Sequence, residues 1–293
     1  YAIILLMSLT AIIDIGSTSV GAALLSPPKN SGPKICSRIV YSARNEINFQ
    51  EKLDQDQFLR GIESVLKKTL ADLQKAQLGS PKRILCYLSA PFYACQTRLI
   101  RYRQRQPFLV SRRLLEKLIA ADLEKFKQAA AAKTVHSVVD SAIVQTELNG
   151  YLIRHPEQQR ASELQLIHYL SISSSKVLSR LRRPIEAAFH RREIEFRSFA
   201  LPLAGVVGSF LPLQHPHALV LDIGGETTEV SLIWQGLLKE SFSYPLGCNF
   251  VIRRTGQDYS SLKLYLGNQY HPPAAARLTA VLDQTRAEWL QSF

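Results

Sequence analysis

Two similar segments, far apart along the chain, constrain the fold more than any other feature. The first reads Asp14-Ile15-Gly16-Ser17-Thr18, and the second reads Asp222-Ile223-Gly224-Gly225-Glu226-Thr227-Thr228. Each follows an apolar run that is typical of a buried strand, and each precedes another apolar run. The glycines and hydroxyl residues between the two runs predict a tight hairpin turn. The chain is therefore predicted to contain an internal repeat, with one copy in each half.

The composition of these turns indicates phosphate binding. Backbone N–H groups and hydroxyls converge in such a turn, and together they form a site for an anion. An aspartate at the end of each strand can hold Mg²⁺ through water, so Asp14 and Asp222 are the predicted metal residues. The predicted phosphate-binding residues are Asp14, Gly16, Ser17, Thr18, Ser19, Asp222, Gly224, Gly225, Thr227 and Thr228.

The pair of segments resembles the two phosphate loops of the actin-like ATPase superfamily. After the second loop, a turn at Gly236 and the run Tyr244-Pro245-Leu246-Gly247 resemble the branch that contains the cell-division protein FtsA and the pilus protein PilM. The likeness covers about residues 8–250. Three more segments match parts of FtsA around its inserted subdomain, namely 84–91, 170–178 and 199–207.

The resemblance implies an α/β fold of two ribonuclease-H-like halves with an inserted SHS2 (strand-helix-strand-strand) subdomain, called 1C in FtsA. Residues 8–81 with 199–213 are expected to form domain 1A, and 82–198 the insertion. Residues 218–293 are expected to form the start of domain 2A, followed by a helix of a truncated 2B subdomain. The C-terminal part is expected to be incomplete.

The spacing of apolar residues predicts individual elements within this frame. The third strand is predicted at 35–42, and residues 90–110 are predicted to be a polar stretch without a strand. A three-stranded meander is predicted from 218 onward. The other predicted strands are a hairpin over 11–25 and runs at 83–89, 135–146 and 163–173, and the predicted helices lie at 54–77, 111–131, 175–190, 199–213 and 272–293.

Four positions depart from the pattern of the branch. FtsA usually has a lysine where this chain has Ser19, and PilM usually has one where it has Gly21, so we expect no cation beside the phosphates. Glu226 replaces a glycine, and its carboxylate is expected to repel a phosphate by roughly a few kcal/mol. Glu229 replaces an aspartate. The resemblance implies ATP and Mg²⁺ as ligands, and the departures predict weak binding with slow or absent hydrolysis, as in a scaffold protein with a degenerate site.

The net charge of +12 is concentrated in the predicted insertion. Residues 82–198 contain 21 Lys and Arg against 10 Asp and Glu. This surface is predicted to be either a solvated face or a binding site for an acidic protein or an anionic membrane. Nucleic acid is disfavoured because no recognised nucleic-acid-binding motif accompanies the charge. The predicted partner-binding residues are Arg98, Arg101, Arg103, Arg105, Arg112 and Arg113, and a second cluster contains Arg180, Arg182, Arg183, Arg191, Arg192 and Arg197.

Three functions stay open at this point. The first is an FtsA-type scaffold that links the tubulin-like protein FtsZ to the membrane and associates with itself through the 1C subdomain. The second is a PilM-type adaptor in type IV pilus assembly, which binds a short peptide of a membrane partner. The third is a working ATPase of the sugar-kinase or Hsp70 type, which needs a carboxylate base in its cleft.

The predicted location is the cytoplasm, in part at the inner face of the cell membrane. The cysteines Cys36, Cys86, Cys95 and Cys248 have no metal-ligand spacing, which is typical of free thiols in a reducing compartment. No apolar run is long enough to span a bilayer. A membrane-binding tail of the FtsA type would lie beyond Phe293.

Overall fold

The computed structural model describes residues 9–27, 37–130, 135–190, 193–212, 214, 216–267, 269 and 275–291. Both strands and helices occur along these ranges. The strands are β1 (Thr10–Ile15), β2 (Ser19–Ser26), β3 (Arg38–Glu46), β4 (Arg83–Leu88), β5 (Ala94–Leu109), β6 (His136–Leu148), β7 (Tyr151–Leu152), β8 (Arg160–Ser174), β9 (Ile194–Ser198), β10 (Ala218–Ile223), β11 (Thr228–Trp234) and β12 (Leu237–Tyr244). The helices are α1 (Gln55–Lys75), α2 (Arg112–Ala130), α3 (Ser175–Phe189), α4 (Ala200–Phe210), α5 (Cys248–Thr255), α6 (Tyr259–Leu266) and α7 (Ala275–Gln291).

The first half of the chain is built on a five-stranded mixed sheet. Its strand order is β3-β2-β1-β4-β9, in which β1 pairs antiparallel with β2 and parallel with β4. Alternate residues of β1 point into the core, where Ala11, Ile13 and Ile15 are fully buried. The alternation of the sequence therefore produces a central strand whose end carries Asp14.

Helix α1 covers one face of this sheet. The side chain of Asp54 accepts a hydrogen bond from the N–H of Gln57 at 2.7 Å, which caps the helix at the residue where the prediction began it. Its apolar stripe is buried against the sheet, as the spacing predicted, with Ile62 and Leu66 fully enclosed. Each such side chain contributes about 1.5–3 kcal/mol through burial. Helix α3 packs beside α1, and the amide of Gln74 donates to the carbonyl of Ala188.

The second half contains the predicted meander, with the order β10-β11-β12. Strand β10 occupies the place of β1, but its apolar residues have a different environment. Leu219, Leu221 and Ile223 are 58%, 42% and 52% exposed, whereas the corresponding residues of β1 are fully buried. The first sheet has helix α1 packed on it and β4 beside β1, whereas among the described residues no strand pairs with the second edge of β10.

A four-stranded sheet with the order β5-β8-β6-β7 stands between β4 and β9 in the chain. Its strand β5 spans 16 residues, so the prediction of a polar stretch without a strand at 90–110 is wrong. Arginines alternate along β5 with half-buried Ile100 and Tyr102, which pack into the core beneath α2. The many charges on the other face conceal a period of two that pairing with β8 makes regular.

Strands β4 and β9 belong to the five-stranded sheet, although both fall within the predicted insertion of 82–198. Helix α3 also packs against α1 of the first half. The four-stranded sheet itself is built from residues between Ala94 and Ser174. The domain limits 8–81, 82–198, 199–213 and 218–293 stay predictions.

The C-terminal residues form short helices around the second sheet. Helix α7 packs against α5, and Arg254 forms an ion pair with Glu288 across that contact. The predicted helix at 272–293 corresponds to α7, and residues 272–274 and 292–293 lie outside the described residues. In the described part of the chain, no helix combines the length and the apolar character needed to cross a bilayer.

Candidate functional site

The two hairpins identified in the sequence have the same turn. The N–H of Gly16 donates to the carbonyl of Ser19 at 3.0 Å, and the N–H of Gly224 donates to the carbonyl of Thr227 at 2.9 Å. The preceding aspartates occupy equivalent positions, because Asp14 and Asp222 are each one residue from the end of their strand. The repeat is therefore structural as well as sequential.

Both hairpins face one cleft of about 230 Å³ between the two halves. Asp14 and Asp222 line it together. Gly225 and Thr228 are the two predicted phosphate-binding residues that do not line it, and Thr228 instead donates its hydroxyl hydrogen bond to the carbonyl of Leu246 at 2.7 Å. The other predicted residues lining the cleft are Gly16, Ser17, Thr18, Ser19, Gly224 and Thr227.

The two turns touch each other at the floor of the cleft. The Oγ atom of Ser17 accepts hydrogen bonds from the N–H groups of Gly225 and Glu226, both at 3.0 Å. A Cβ atom on Gly225 would lie 2.2 Å from Cγ2 of Thr18, so only glycine permits this approach. Ser17 thus occupies two amides of the second turn that would otherwise be available to an anion.

Two carboxyl groups of the second half face the cleft with incomplete pairing. Burial and the nearby charge of Asp14 raise the pKa of Asp222 above its usual range. Glu229 accepts hydrogen bonds from the hydroxyls of Tyr93 at 2.5 Å and Ser241 at 2.9 Å, but its buried Oε2 atom has no partner. Burial raises the pKa of Glu229 despite the two hydrogen bonds that oppose the shift.

These carboxylates offer the oxygen ligands that Mg²⁺ prefers. Asp14 and Asp222 would hold the ion through water, and Glu229 would add an unpaired oxygen nearby. Among the described residues, no three His, Cys, Asp or Glu side chains converge closely enough to hold a metal directly. The chemistry of the residues therefore fits a hydrated ion.

Glu226 does not lie where the sequence placed it. Its carboxylate does not line the cleft, and Arg253 binds it with two hydrogen bonds of 2.7 Å. The amide of Asn249 donates a third, also at 2.7 Å. The carboxylate thus faces Arg253 and not the cleft, where the sequence placed it beside a phosphate. Arg253 also donates to the carbonyl of Gln50 at 2.9 Å, so the pair ties the second turn to the first half.

The prediction that no cation lies beside the phosphates is wrong. Arg44 of β3 lines the cleft and donates hydrogen bonds to Oδ2 of Asp14 and to Oγ of Ser19, both at 2.7 Å. The predicted third strand ended at residue 42, two positions short of this arginine. Continuing the strand to Glu46 would have aligned Arg44 with the first hairpin.

The first predicted arginine cluster is divided between the two faces of the four-stranded sheet. Arg98 points toward α2 and forms an ion pair of 2.8 Å with Asp122, which also contacts the buried His168. Two other members have acidic neighbours: Arg103 pairs with Glu163 at 2.7 Å, and Arg112 pairs with Glu116 at 3.0 Å. Among the described residues no ion pair is formed by the exposed Arg101, Arg105 and Arg113.

The second cluster lies elsewhere, on α3 and β9. Arg180 pairs with Glu63 of α1, and Arg197 pairs with Asp140 at 3.1 Å. Arg182 is 3.9 Å from Glu186, and Arg183 is exposed. Arg191 and Arg192 lie outside the described residues. The first cluster thus belongs to β5 and α2, and the described members of the second belong to α3 and β9.

Comparison with known proteins gives a likeness in structure. No family model and no curated protein matches the sequence. PilM, in a structure of the PilM–PilN type IV pilus biogenesis complex, superposes with a TM-score of 0.55 at 14% identity, covering 97% of this chain and 74% of the other. A Bacteroides thetaiotaomicron protein with an actin-like ATPase fold and unknown function has a TM-score of 0.41 at 10% identity, covering 95% and 88%. An exopolyphosphatase from Cytophaga hutchinsonii has a TM-score of 0.40 at 10% identity, covering 84% and 53%. The likeness to PilM shows that this chain shares the mixed α/β fold of that protein.

Proposed function

We propose that this chain is an actin-like adaptor protein that binds a nucleotide through its phosphates and docks a protein partner. The observation that carries the proposal is the meeting of two equivalent Asp-Ile-Gly turns at one cleft. Turn amides, hydroxyls and carboxylates from both halves converge there, which is the chemistry that a phosphate chain with Mg²⁺ requires.

The nucleotide acts in this proposal as a conformational ligand. Contacts between the halves include the bonds of Ser17 to the second turn, the bond of Tyr93 to Glu229, and the bond of Arg253 to Gln50. Phosphate groups compete with Ser17 for the amides of the second turn. A ligand with different affinities for the closed and opened cleft shifts the balance between them. Hydrolysis is slow or absent, and turnover is not the function.

The partner is a protein, and the role best supported is that of a PilM-type adaptor. PilM itself is found in a complex with PilN, and its chain matches 97% of this one in structure. The exposed Arg101 and Arg105 of β5 lie on the face of the four-stranded sheet opposite α2, do not line the cleft, and offer a surface for an acidic segment of the partner. That sheet, with its helix α2, is the counterpart we assign to the SHS2 subdomain.

The FtsA-type role stays a prediction. It includes FtsZ as partner, self-association through the 1C subdomain, and a position at the inner face of the membrane. The two roles are separated by measuring the affinity of the chain for purified FtsZ and for purified PilN from the organism that encodes it. Binding of PilN alone supports the adaptor, and binding of FtsZ alone supports the division scaffold.

The nucleotide site is tested by calorimetric titration with Mg²⁺-ATP. We expect saturable binding by the wild-type chain, with a loss of at least tenfold in the double variant Asp14→Asn/Asp222→Asn. Phosphate release measured on the same samples should stay far below about 1 s⁻¹, the lower end of ordinary enzyme turnover. Absence of binding contradicts the nucleotide site, and rapid turnover indicates the working ATPase instead.

A further inference from the structure

Arg44 belongs to a row of three paired residues that crosses β1, β2 and β3. Asp14 is paired with Gly21, and Gly21 is paired with Arg44. Directly paired residues place their side chains on the same face of a sheet. Because Gly21 has no side chain, the guanidinium of Arg44 lies over β2 and reaches Asp14. A Cβ atom at position 21 would be 2.8 Å from Nη2 of Arg44.

The corresponding row in the second half contains two carboxyl residues and no basic residue. Asp222 is paired with Glu229, and Glu229 is paired with Ser243. The cleft thus receives three carboxylates, from Asp14, Asp222 and Glu229. Arg44 is the one lysine or arginine among the described residues that line it. An anion entering the cleft therefore meets a single positive side chain.

The ion pair between Arg44 and Asp14 is open to solvent, so Arg44 can exchange this partner for a ligand. Its side chain is 58% exposed, and that of Asp14 is 33% exposed. An ion pair with this exposure to water is weak and exchanges readily. The guanidinium has five N–H donors in a planar fork. Its hydrogen bonds to Ser19 and Asp14 use one N–H of Nη1 and one N–H of Nη2. Arginine binds phosphate oxygens through this fork with two parallel bonds.

We propose that Arg44 binds the phosphate groups of the ligand in this cleft and exchanges its bond to Asp14 for bonds to phosphate oxygens. The inference rests on the proposed nucleotide site and names the residue that selects an anionic ligand. Asp14 holds Arg44 over Gly21 until the anion arrives, and is then free to contact hydrated Mg²⁺. Glycine at position 21 leaves this space open, because a Cβ atom there would force the flexible end of Arg44 to move aside.

The test compares the binding of Mg²⁺-pyrophosphate and Mg²⁺-ATP by calorimetry in a set of variants. Arg44→Ala and Arg44→Gln should weaken both ligands by about tenfold to a hundredfold, since each loses a charge-assisted bidentate contact. Arg44→Lys should retain part of the affinity. Arg38→Ala is the matched control, because Arg38 is an exposed arginine at the other end of β3 and does not line the cleft.

Moving the positive side chain from β3 to β2 by mutation makes the test specific to position. Gly21→Lys in the Arg44→Ala background places an ammonium in the space that the guanidinium occupied, and should recover at least part of the affinity. Gly21→Lys alone should weaken binding less than Arg44→Ala does, because the flexible end of Arg44 can move aside and a positive charge remains in the cleft. If the wild-type chain binds both ligands and Arg44→Ala binds them with the same affinity, the role of Arg44 is overturned and the nucleotide site stands. Failure of the wild-type chain to bind either ligand overturns both. Circular dichroism of every variant checks the fold.

Discussion

The hydroxyl of Tyr93 donates a hydrogen bond of 2.5 Å to Oε1 of Glu229. Tyr93 lies just before β5, and Glu229 lies in β11, the second strand of the other half. The same oxygen of Tyr93 accepts a hydrogen bond from the N–H of Ala200 at 3.1 Å, which fixes its position at the start of α4. Glu229 lines the cleft. This contact therefore connects a residue that lines the ligand site to the segment that leads into β5.

Glu229 should make the stability of the protein depend on pH. Its pKa is raised by burial above the usual 4.5, so the native state retains this proton to higher pH than the unfolded chain does. Linkage then requires the free energy of unfolding to fall as pH rises above about 4.5. Glu229→Gln removes this effect. At pH 7 the variant should be more stable than the wild type, because it has no buried charge while its Oε1 atom can still accept the hydrogen bonds of Tyr93 and Ser241.

Urea unfolding of the wild-type chain and Glu229→Gln at pH 4 and pH 7 measures this difference. The two proteins should converge at the lower pH. Glu240→Gln is the control, because Glu240 is an exposed carboxyl on the neighbouring strand β12. If Glu229→Gln and the wild type have equal free energies of unfolding at both pH values, ionisation of the Glu229 carboxyl does not destabilise the fold.

The two central strands should respond differently to equivalent truncations. Ile13 of β1 is fully buried, whereas its counterpart Leu221 of β10 is 42% exposed. Ile13→Ala should cost about 2–5 kcal/mol, as large-to-small changes in a packed core do. Leu221→Ala should cost less than about 1 kcal/mol, since little contact is lost. Thermal unfolding of both variants gives the comparison, and similar losses would mean that Leu221 is covered in solution.

Replacement of Glu226 should destabilise the second turn and should not improve ligand binding. Its carboxylate and Arg253 are both largely buried, and removal of one partner of a buried pair costs about 3–5 kcal/mol. We therefore expect Glu226→Gln to lower the free energy of unfolding without tightening Mg²⁺-ATP. A double-mutant cycle with Arg253→Met should show a coupling of about 0.5–3 kcal/mol. If Glu226→Gln binds Mg²⁺-ATP more tightly than the wild type does, this expectation is contradicted, and Glu226 repels the phosphates as the sequence predicted.

The exposed arginines of β5 should dominate binding to acidic polymers. Arg101 and Arg105 are exposed and form no ion pair among the described residues, and Arg101 is only the weakest of the causes that lower the pKa of Glu163. Arg101→Glu/Arg105→Glu should weaken binding of poly-glutamate by at least tenfold at low salt, measured by fluorescence anisotropy. The effect should shrink at about 0.15 M salt, where charges are screened over about 8 Å. Arg38→Glu/Arg183→Glu makes the same change in charge on other elements, and an equal loss in that control would assign the effect to net charge.

The parts of this protein that could be predicted from sequence are those governed by neighbouring residues. The hairpin turns, the buried strands before them and the apolar stripe of α1 all depend on periodicity and turn chemistry, which are local. Strand β5 was missed because its pattern is completed by pairing with β8, and its charged face resembles a solvated loop. Strand pairing of this kind depends on residues far away in the chain.

Tertiary structure alone decided the charge balance of the cleft. Glu226 appeared to be a repulsive carboxylate in the sequence, and Arg253 neutralises it from 27 residues further along the chain. Gly21 and Ser19 appeared to leave the phosphates without a cation, and Arg44 reaches the same place from the next strand. A sequence motif specifies which charges its own residues carry. Whether those charges are paired, and which distant residue supplies a missing one, is set by the register of strands and the packing of helices around the site.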